Sequence, residues 1–188
     1  MSKLILASGS PQRKKILREL GIDFKAIPAD IDEHHSGYTK PHAIVKSIAF
    51  RKAQAIAKKH PNDWIIGCDT IVILSNGKIA VKPTGRKDAK RTINLYRKSH
   101  CDVYSGLAVI NKKLNKFFVQ YEKTRINFGD FTDKEIEEYL DSGEWKNRSG
   151  SMTIEGRGGK WITGIKGCYW NVVGLPIDLL KQFLLNIE

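Results

Sequence analysis

The sequence predicts an α/β protein with a mixed β-sheet and flanking helices. Apolar stripes at helical spacing alternate with strand-like apolar runs along the chain. A strong hairpin turn, Ser75-Asn76-Gly77, sits among segments joined by helices.

Taken in order, residues 3–7 read as a strand, Ser8-Gly9-Ser10 as a turn and 11–20 as a helix. Ser10 suits the N-cap, and Pro11 suits the first helical position, where its missing N–H would have had no partner. Ile16, Leu17 and Leu20 form that helix's apolar face, and Gly21 ends it. A second helix is expected over 41–59. The strand 64–74 then turns at Ser75-Asn76-Gly77 into 78–81. A third helix over 86–98 precedes strands over 103–110 and 116–128. Thr132-Asp133-Lys134-Glu135 is a capping box opening a helix that ends at Gly143. The glycine-rich stretch 148–167 reads as loops joining short strands. Gly174-Leu175-Pro176 leads into a last helix with Leu179, Leu180, Phe183 and Leu184 on one face.

The 188 residues suffice for one domain, with or without two lobes. A chain this long buries roughly 70% of its unfolded surface and needs no disulfide or metal to fold. The longest apolar stretches, 65–74 and 177–187, are too short or too interrupted to span a bilayer, and the N-terminal apolar run is too short for a signal peptide. Cys68, Cys101 and Cys168 form no C-x-x-C pair and read as reduced thiols of a cytoplasmic protein. The histidines show no zinc spacing. Lys and Arg outnumber Asp and Glu by 32 to 20, a net charge of +12 that draws polyanions. The basic residues are dispersed and carry no nucleic-acid-binding motif, so a merely solubilising field has equal weight.

Several residues break the local rules, which is where functional sites tend to be found. The Ser8–Ser10 turn delivers free N–H groups and two hydroxyls to a helix start, a natural anion site. Gln12, Arg13, Lys14 and Lys15 occupy the first turn, where acids would suit the dipole better; a phosphate partner explains the cations, and a basic exposed turn is the alternative. Lys52 projects from the apolar stripe of Ile44, Val45, Ile48, Ala49, Ala55 and Ile56. Its head either snorkels to the rim or meets an anion in a cleft. Asp69, with Thr70 beside it, interrupts an otherwise buried strand. It needs a partner: a structural salt bridge, or a role in holding magnesium or activating water. A second carboxylate is available in Asp30-Ile31-Asp32-Glu33. Lys82-Pro83 offers either a phosphate contact or a surface turn, and Glu155 lies among flexible glycines as a ligand, a substrate-reading group or a loop acid. Together these residues suggest metal-assisted chemistry on a phosphate ester or anhydride.

The opening run Leu4-Ile5-Leu6-Ala7-Ser8-Gly9-Ser10-Pro11-Gln12-Arg13-Lys14-Lys15-Ile16-Leu17 resembles the signature of the Maf family of nucleotide pyrophosphatases. Ile31-Asp32-Glu33, Arg51-Lys52-Ala53, Gly67-Cys68-Asp69-Thr70-Ile71-Val72, Lys82-Pro83 and Asn171-Val172-Val173-Gly174-Leu175-Pro176 follow in the family's order over nearly the whole chain. The resemblance implies one Maf-like domain over 1–188: an elongated mixed sheet in two lobes around a central cleft, like inosine triphosphate pyrophosphatase. It implies a cytoplasmic homodimer, without membrane or nucleic-acid partner, that hydrolyses a nucleoside triphosphate to monophosphate and pyrophosphate with Mg or Mn. By the same resemblance Asp69, Lys52 and Lys82 are catalytic, and Glu33 and Asp69 hold the metal. Ser8, Ser10, Arg13, Gln12, Thr70 and Glu155 bind substrate. In the dTTP/UTP branch the positions of Gln12, Thr70 and Glu155 usually hold arginine, threonine and glutamine; in the 7-methyl-GTP branch they hold tryptophan, glutamine and glutamate. This chain mixes the two. Arg148-Ser149-Gly150-Ser151-Met152 also departs from the Lys-Ala-Gly-Ala-Tyr common in the first branch. The base preference stays open: pyrimidine (dTTP/UTP) or modified nucleotides are the expected substrates, and a 7-methyl-GTP-type or broader modified-purine pyrophosphatase is the runner-up. A nucleic-acid-binding cell-division regulator without turnover is the alternative from another class.

Overall fold

A computed structural model describes residues 3–34 and 37–185. Six strands form one sheet in the order β2-β1-β3-β4-β5-β6. They are β1 (Leu4–Leu6), β2 (Lys25–Ala26), β3 (Trp64–Leu74), β4 (His100–Asn111), β5 (Lys116–Phe128) and β6 (Ile162–Lys166). The α-helices are α1 (Pro11–Glu19), α2 (Pro41–Ala57), α3 (Arg86–Asn94), α4 (Asp133–Ser142), α5 (Tyr169–Val173) and α6 (Ile177–Leu185). β1 runs parallel to β2 and β3, whereas β6 is antiparallel to β5, so the sheet is mixed. Among the described residues no helix is long and apolar enough to cross a membrane.

The chain divides into two compact units, one comprising Met1–Thr70, Tyr104–Glu122 and Trp170–Glu188, the other Ile71–Val103 and Lys123–Tyr169. In the first, Ile5, Ala7 and Ile65 of the β1–β3 region pack with Ala49, Ala53 and Ile56 of α2, and with Ala108 and Ile110 of β4. Two glycines set how deeply α2 sits. A Cβ on Gly67 would stand 2.1 Å from the Ala49 carbonyl oxygen, and one on Gly106 would stand 2.2 Å from that of Val45. Only residues without side chains let the helix backbone approach β3 and β4 so closely. Phe183 of α6 packs edge-on against Trp64 at 5.1 Å between ring centroids.

The second unit is held by α4, whose capping box is present as read from sequence: Thr132 Oγ1 accepts from Glu135 N, and Glu135 accepts from Thr132 N. Gly143 closes that helix in the left-handed conformation at φ 73°. Phe131 stacks on Trp161 at 4.3 Å, and Tyr96 Oη donates to the Gly150 carbonyl at 3.0 Å.

Some elements differ from expectation. α2 stops at Ala57 and α3 at Asn94. Lys98 takes φ 51°, which breaks the helix, and its N–H bonds the Gly129 carbonyl instead. Residues 78–81 make a single bridge, Ile73 to Ile79, rather than a strand; Pro83 follows closely and cannot donate to a ladder. The stretch 148–167 winds into two short 3₁₀ helices, Ser149–Ser151 and Arg157–Trp161, before β6.

Candidate active site

β1 ends at Leu6, and the chain turns through Ser8-Gly9-Ser10 into α1. Ser10 is the N-cap, its Oγ accepting from Arg13 N at 3.4 Å, and the buried Ser8 Oγ accepts from Ser10 N at 3.2 Å. Gln12 Oε1 accepts from Ser10 Oγ at 3.4 Å. The Arg13 guanidinium turns back over this loop. It donates through Nη1 to Ser8 Oγ at 3.1 Å, through Nη2 to Thr70 Oγ1 at 3.2 Å and through Nε to the Gly174 carbonyl at 2.8 Å. A planar fork anchored on three acceptors is pre-oriented, so little freedom remains to be lost when it meets a ligand.

The anchoring continues inward. Ser105 Oγ donates to the Asn171 carbonyl at 3.1 Å and lies 2.8 Å from Thr70 Oγ1, a contact in which either hydroxyl can donate; Thr70 Oγ1 also donates to the Gly174 carbonyl at 3.5 Å. Thr70 Oγ1 accepts from Arg13, so contacts link Arg13 through Thr70 and Ser105 to the Asn171 carbonyl. Gly174 holds φ +119°, a left-handed setting that favours glycine. Its carbonyl also accepts from Cys68 Sγ at 3.3 Å. Burial pushes the Cys68 thiol above its ordinary range, against the pull of Arg13 and Lys52, which keeps it a neutral donor.

On the α2 side lies the charged centre. Lys52 Nζ stands 2.9 Å from Asp69 Oδ1 and 2.9 Å from Glu33 Oε1. Lys52 and Asp69 are only 7% and 6% exposed, whereas the Glu33 side chain is 59% exposed. The lysine head thus meets anions rather than snorkelling to solvent, and the buried carboxylate finds its partner one layer away on α2. Such a pair adds little stability over hydrocarbon of the same volume. Retaining it in an apolar stripe points to chemistry.

Ser8, Ser10, Gln12, Arg13, Glu33, Lys52, Asp69 and Thr70 all belong to the first unit. The structure joins Ser8, Ser10, Gln12, Arg13 and Thr70 in one hydrogen-bonded group and Glu33, Lys52 and Asp69 in another. The two touch at the adjacent residues Asp69 and Thr70. Lys82 and Glu155 belong to the second unit, both exposed, Lys82 before α3 and Glu155 in the turn preceding Arg157–Trp161. Sequence reasoning missed Ser105, and it named Gly174 and Arg51 only as members of family motifs, with no role in the site. Ser105 had a signal of the same kind as Asp69, a polar side chain within an apolar strand.

Fold and site together define an α/β protein equipped to hold an anion beside a buried carboxylate. The chain belongs to the Maf-like protein family, whose sequence model matches residues 3–187. The dTTP/UTP pyrophosphatase of Pelotomaculum thermopropionicum is 37% identical, with both chains covered in full. The dTTP/UTP pyrophosphatase of Bacillus anthracis is 38% identical over all of this chain and 98% of its own. Among solved structures, a HAM1 protein from Coxiella burnetii aligns over 68% of this chain and 73% of its own at 14% identity and TM-score 0.46.

Proposed function

We propose that this protein hydrolyses nucleoside triphosphates, with dTTP and UTP as preferred substrates, to the monophosphate and pyrophosphate. One observation carries the reading: a buried Asp69–Lys52 pair, shared with Glu33, in a chain whose full-length relatives bear the name dTTP/UTP pyrophosphatase. Water attacks the α-phosphorus, the bond from that phosphorus to the oxygen bridging to the β-phosphate breaks, and pyrophosphate leaves. Asp69 orients the water and receives its proton. Lys52 offsets the negative charge that develops at the α-phosphate. Arg13, held by Ser8, Thr70 and Gly174, and the N–H groups of the Ser8–Ser10 turn bind the triphosphate. By resemblance to the family, Lys82 also serves the triphosphate, and Gln12, Thr70 and Glu155 serve the base. A cytoplasmic homodimer belongs to the same reading.

A divalent ion, Mg or Mn, fits these residues. Asp69 and Glu33 are hard oxygen donors converging on one cationic atom, 2.9 Å from each. Among the described residues no third His, Cys, Asp or Glu completes a three-ligand cluster with them. That donor set suits an ion that keeps water and phosphate oxygens as its other ligands. When bound it supplies charge neutralisation and a more acidic water.

The test is a panel of dTTP, UTP, 7-methyl-GTP and the common purine triphosphates in ¹⁸O-water with Mg or Mn. Label in the monophosphate, unlabelled pyrophosphate and fastest turnover of dTTP and UTP are expected. Release of inorganic phosphate instead would contradict the reading. No turnover, with salt-sensitive DNA binding, would move the +12 surface to a regulatory role.

A further inference from the structure

We propose that Arg51 is a positioning residue that presents the Glu33 carboxylate to Lys52, an inference that rests on the function proposed above. Arg51 precedes Lys52 on α2. Its guanidinium donates through Nη1 to the Asp32 carbonyl and through Nη2 to the His34 carbonyl, each at 2.8 Å. These are the carbonyls on either side of Glu33. Asp32 Oδ1 accepts from His34 N at 2.9 Å and folds the same three residues back on themselves. Ile27 N still bonds the Leu6 carbonyl at 3.0 Å, but residues 28–34 form no helix or strand. The Glu33 side chain is 59% exposed yet stays 2.9 Å from Lys52 Nζ. A solvated carboxylate on an irregular loop gains little from one ion pair and loses freedom by making it. The backbone clamp removes that loss, because the peptide groups flanking Glu33 are already fixed.

The chemistry requires arginine. Two carbonyls separated by one residue match the spread of a planar guanidinium, whereas a lysine ammonium is a single point that holds one of them. Arg51 pairs with no carboxylate among the described residues, and its Nε is buried without a partner. Its charge-assisted bonds to the loop are what the structure gives it to do. Consecutive residues of α2 thus divide the work: Lys52 supplies the ammonium, and Arg51 brings the second carboxylate to it.

The full chain is compared as wild type, Arg51→Gln, Arg51→Lys, Glu33→Gln and the Arg51→Gln/Glu33→Gln double variant. Two readouts are taken: backbone hydrogen exchange at residues 32–34, and kcat for dTTP. In Arg51→Gln, exchange at 32–34 should accelerate about tenfold or more while α2 amides are unchanged, and kcat should fall about tenfold. Arg51→Lys should fail to restore either, and it carries the same two readouts should Arg51→Gln not fold. Because Arg51 acts through Glu33, the double variant should turn over within about twofold of Glu33→Gln alone. Unchanged exchange at 32–34, or a double variant showing the product of the two single losses, would overturn the proposal. If the wild type turns over no nucleotide, the proposed function fails while the exchange measurement still decides the clamp.

Discussion

Asp69 and Asp102 are both acids set against cations, and their surroundings assign them different work. Asp102 accepts from Arg125 Nε at 2.7 Å and Nη2 at 2.9 Å, with Lys123 Nζ also at 2.9 Å. The Arg125 hydrogen bonds, foremost, hold its carboxyl at about 2, below the ordinary 3.8. A depressed folded value means stability that is complete above 3.8 and lost as pH falls through about 2. Asp102→Asn should therefore be less stable than wild type by on the order of 1–2 kcal/mol at neutral pH, with the gap closing in acid. Urea unfolding across that range checks this, and a gap independent of pH would refute it. Asp69 has one ammonium, shared with Glu33, and is followed by Thr70, which accepts from Arg13. Its surroundings supply reactivity more than stability.

At the scale of elements, the depth of α2 decides whether that chemistry is assembled. Gly67 and Gly106 leave room for the backbone at Ala49 and Val45, one turn or two before Lys52. Gly67→Ala or Gly106→Ala should push the helix outward, destabilise the fold by about 2–4 kcal/mol and lower turnover by separating Lys52 from Asp69. Thermal melting with parallel kcat measurements tests both effects; a fully stable, fully active Gly67→Ala would show that the close approach is dispensable. The strands Trp64–Leu74 and Lys116–Phe128 and the α4 capping box were legible in the sequence, because their signals are local runs and fixed spacings. So were Lys52 and Asp69, as polar residues in apolar patterns. β2, with two residues, and α5, with five, are too short to show a period. The inward turn of Arg13 was not legible either, since its Gly174 acceptor lies 161 residues away and no local window contains both. Arg51 stood in a family motif without a role of its own, because its partners are backbone carbonyls, which carry no sequence identity.

For the whole molecule, a net charge of +12 favours encounter with a polyanion such as a triphosphate at long range, and the proposed function assigns its short-range capture to Arg13 and the Ser8–Ser10 turn. Membership of the Maf-like family and relatives matched along their full length agree with a chain whose proposed site residues come from the turn after β1, from α1, from the Glu33 loop, from α2 and from β3. In the proposed function the buried Asp69 carboxylate performs the hydrolysis. The direct measurement is pyrophosphate release from dTTP by Asp69→Asn beside wild type, with circular dichroism confirming that both are folded. Loss of the charge with retention of shape should lower kcat by about a hundredfold or more. A folded Asp69→Asn variant that releases pyrophosphate at the wild-type rate would show that this carboxylate is not the catalytic group.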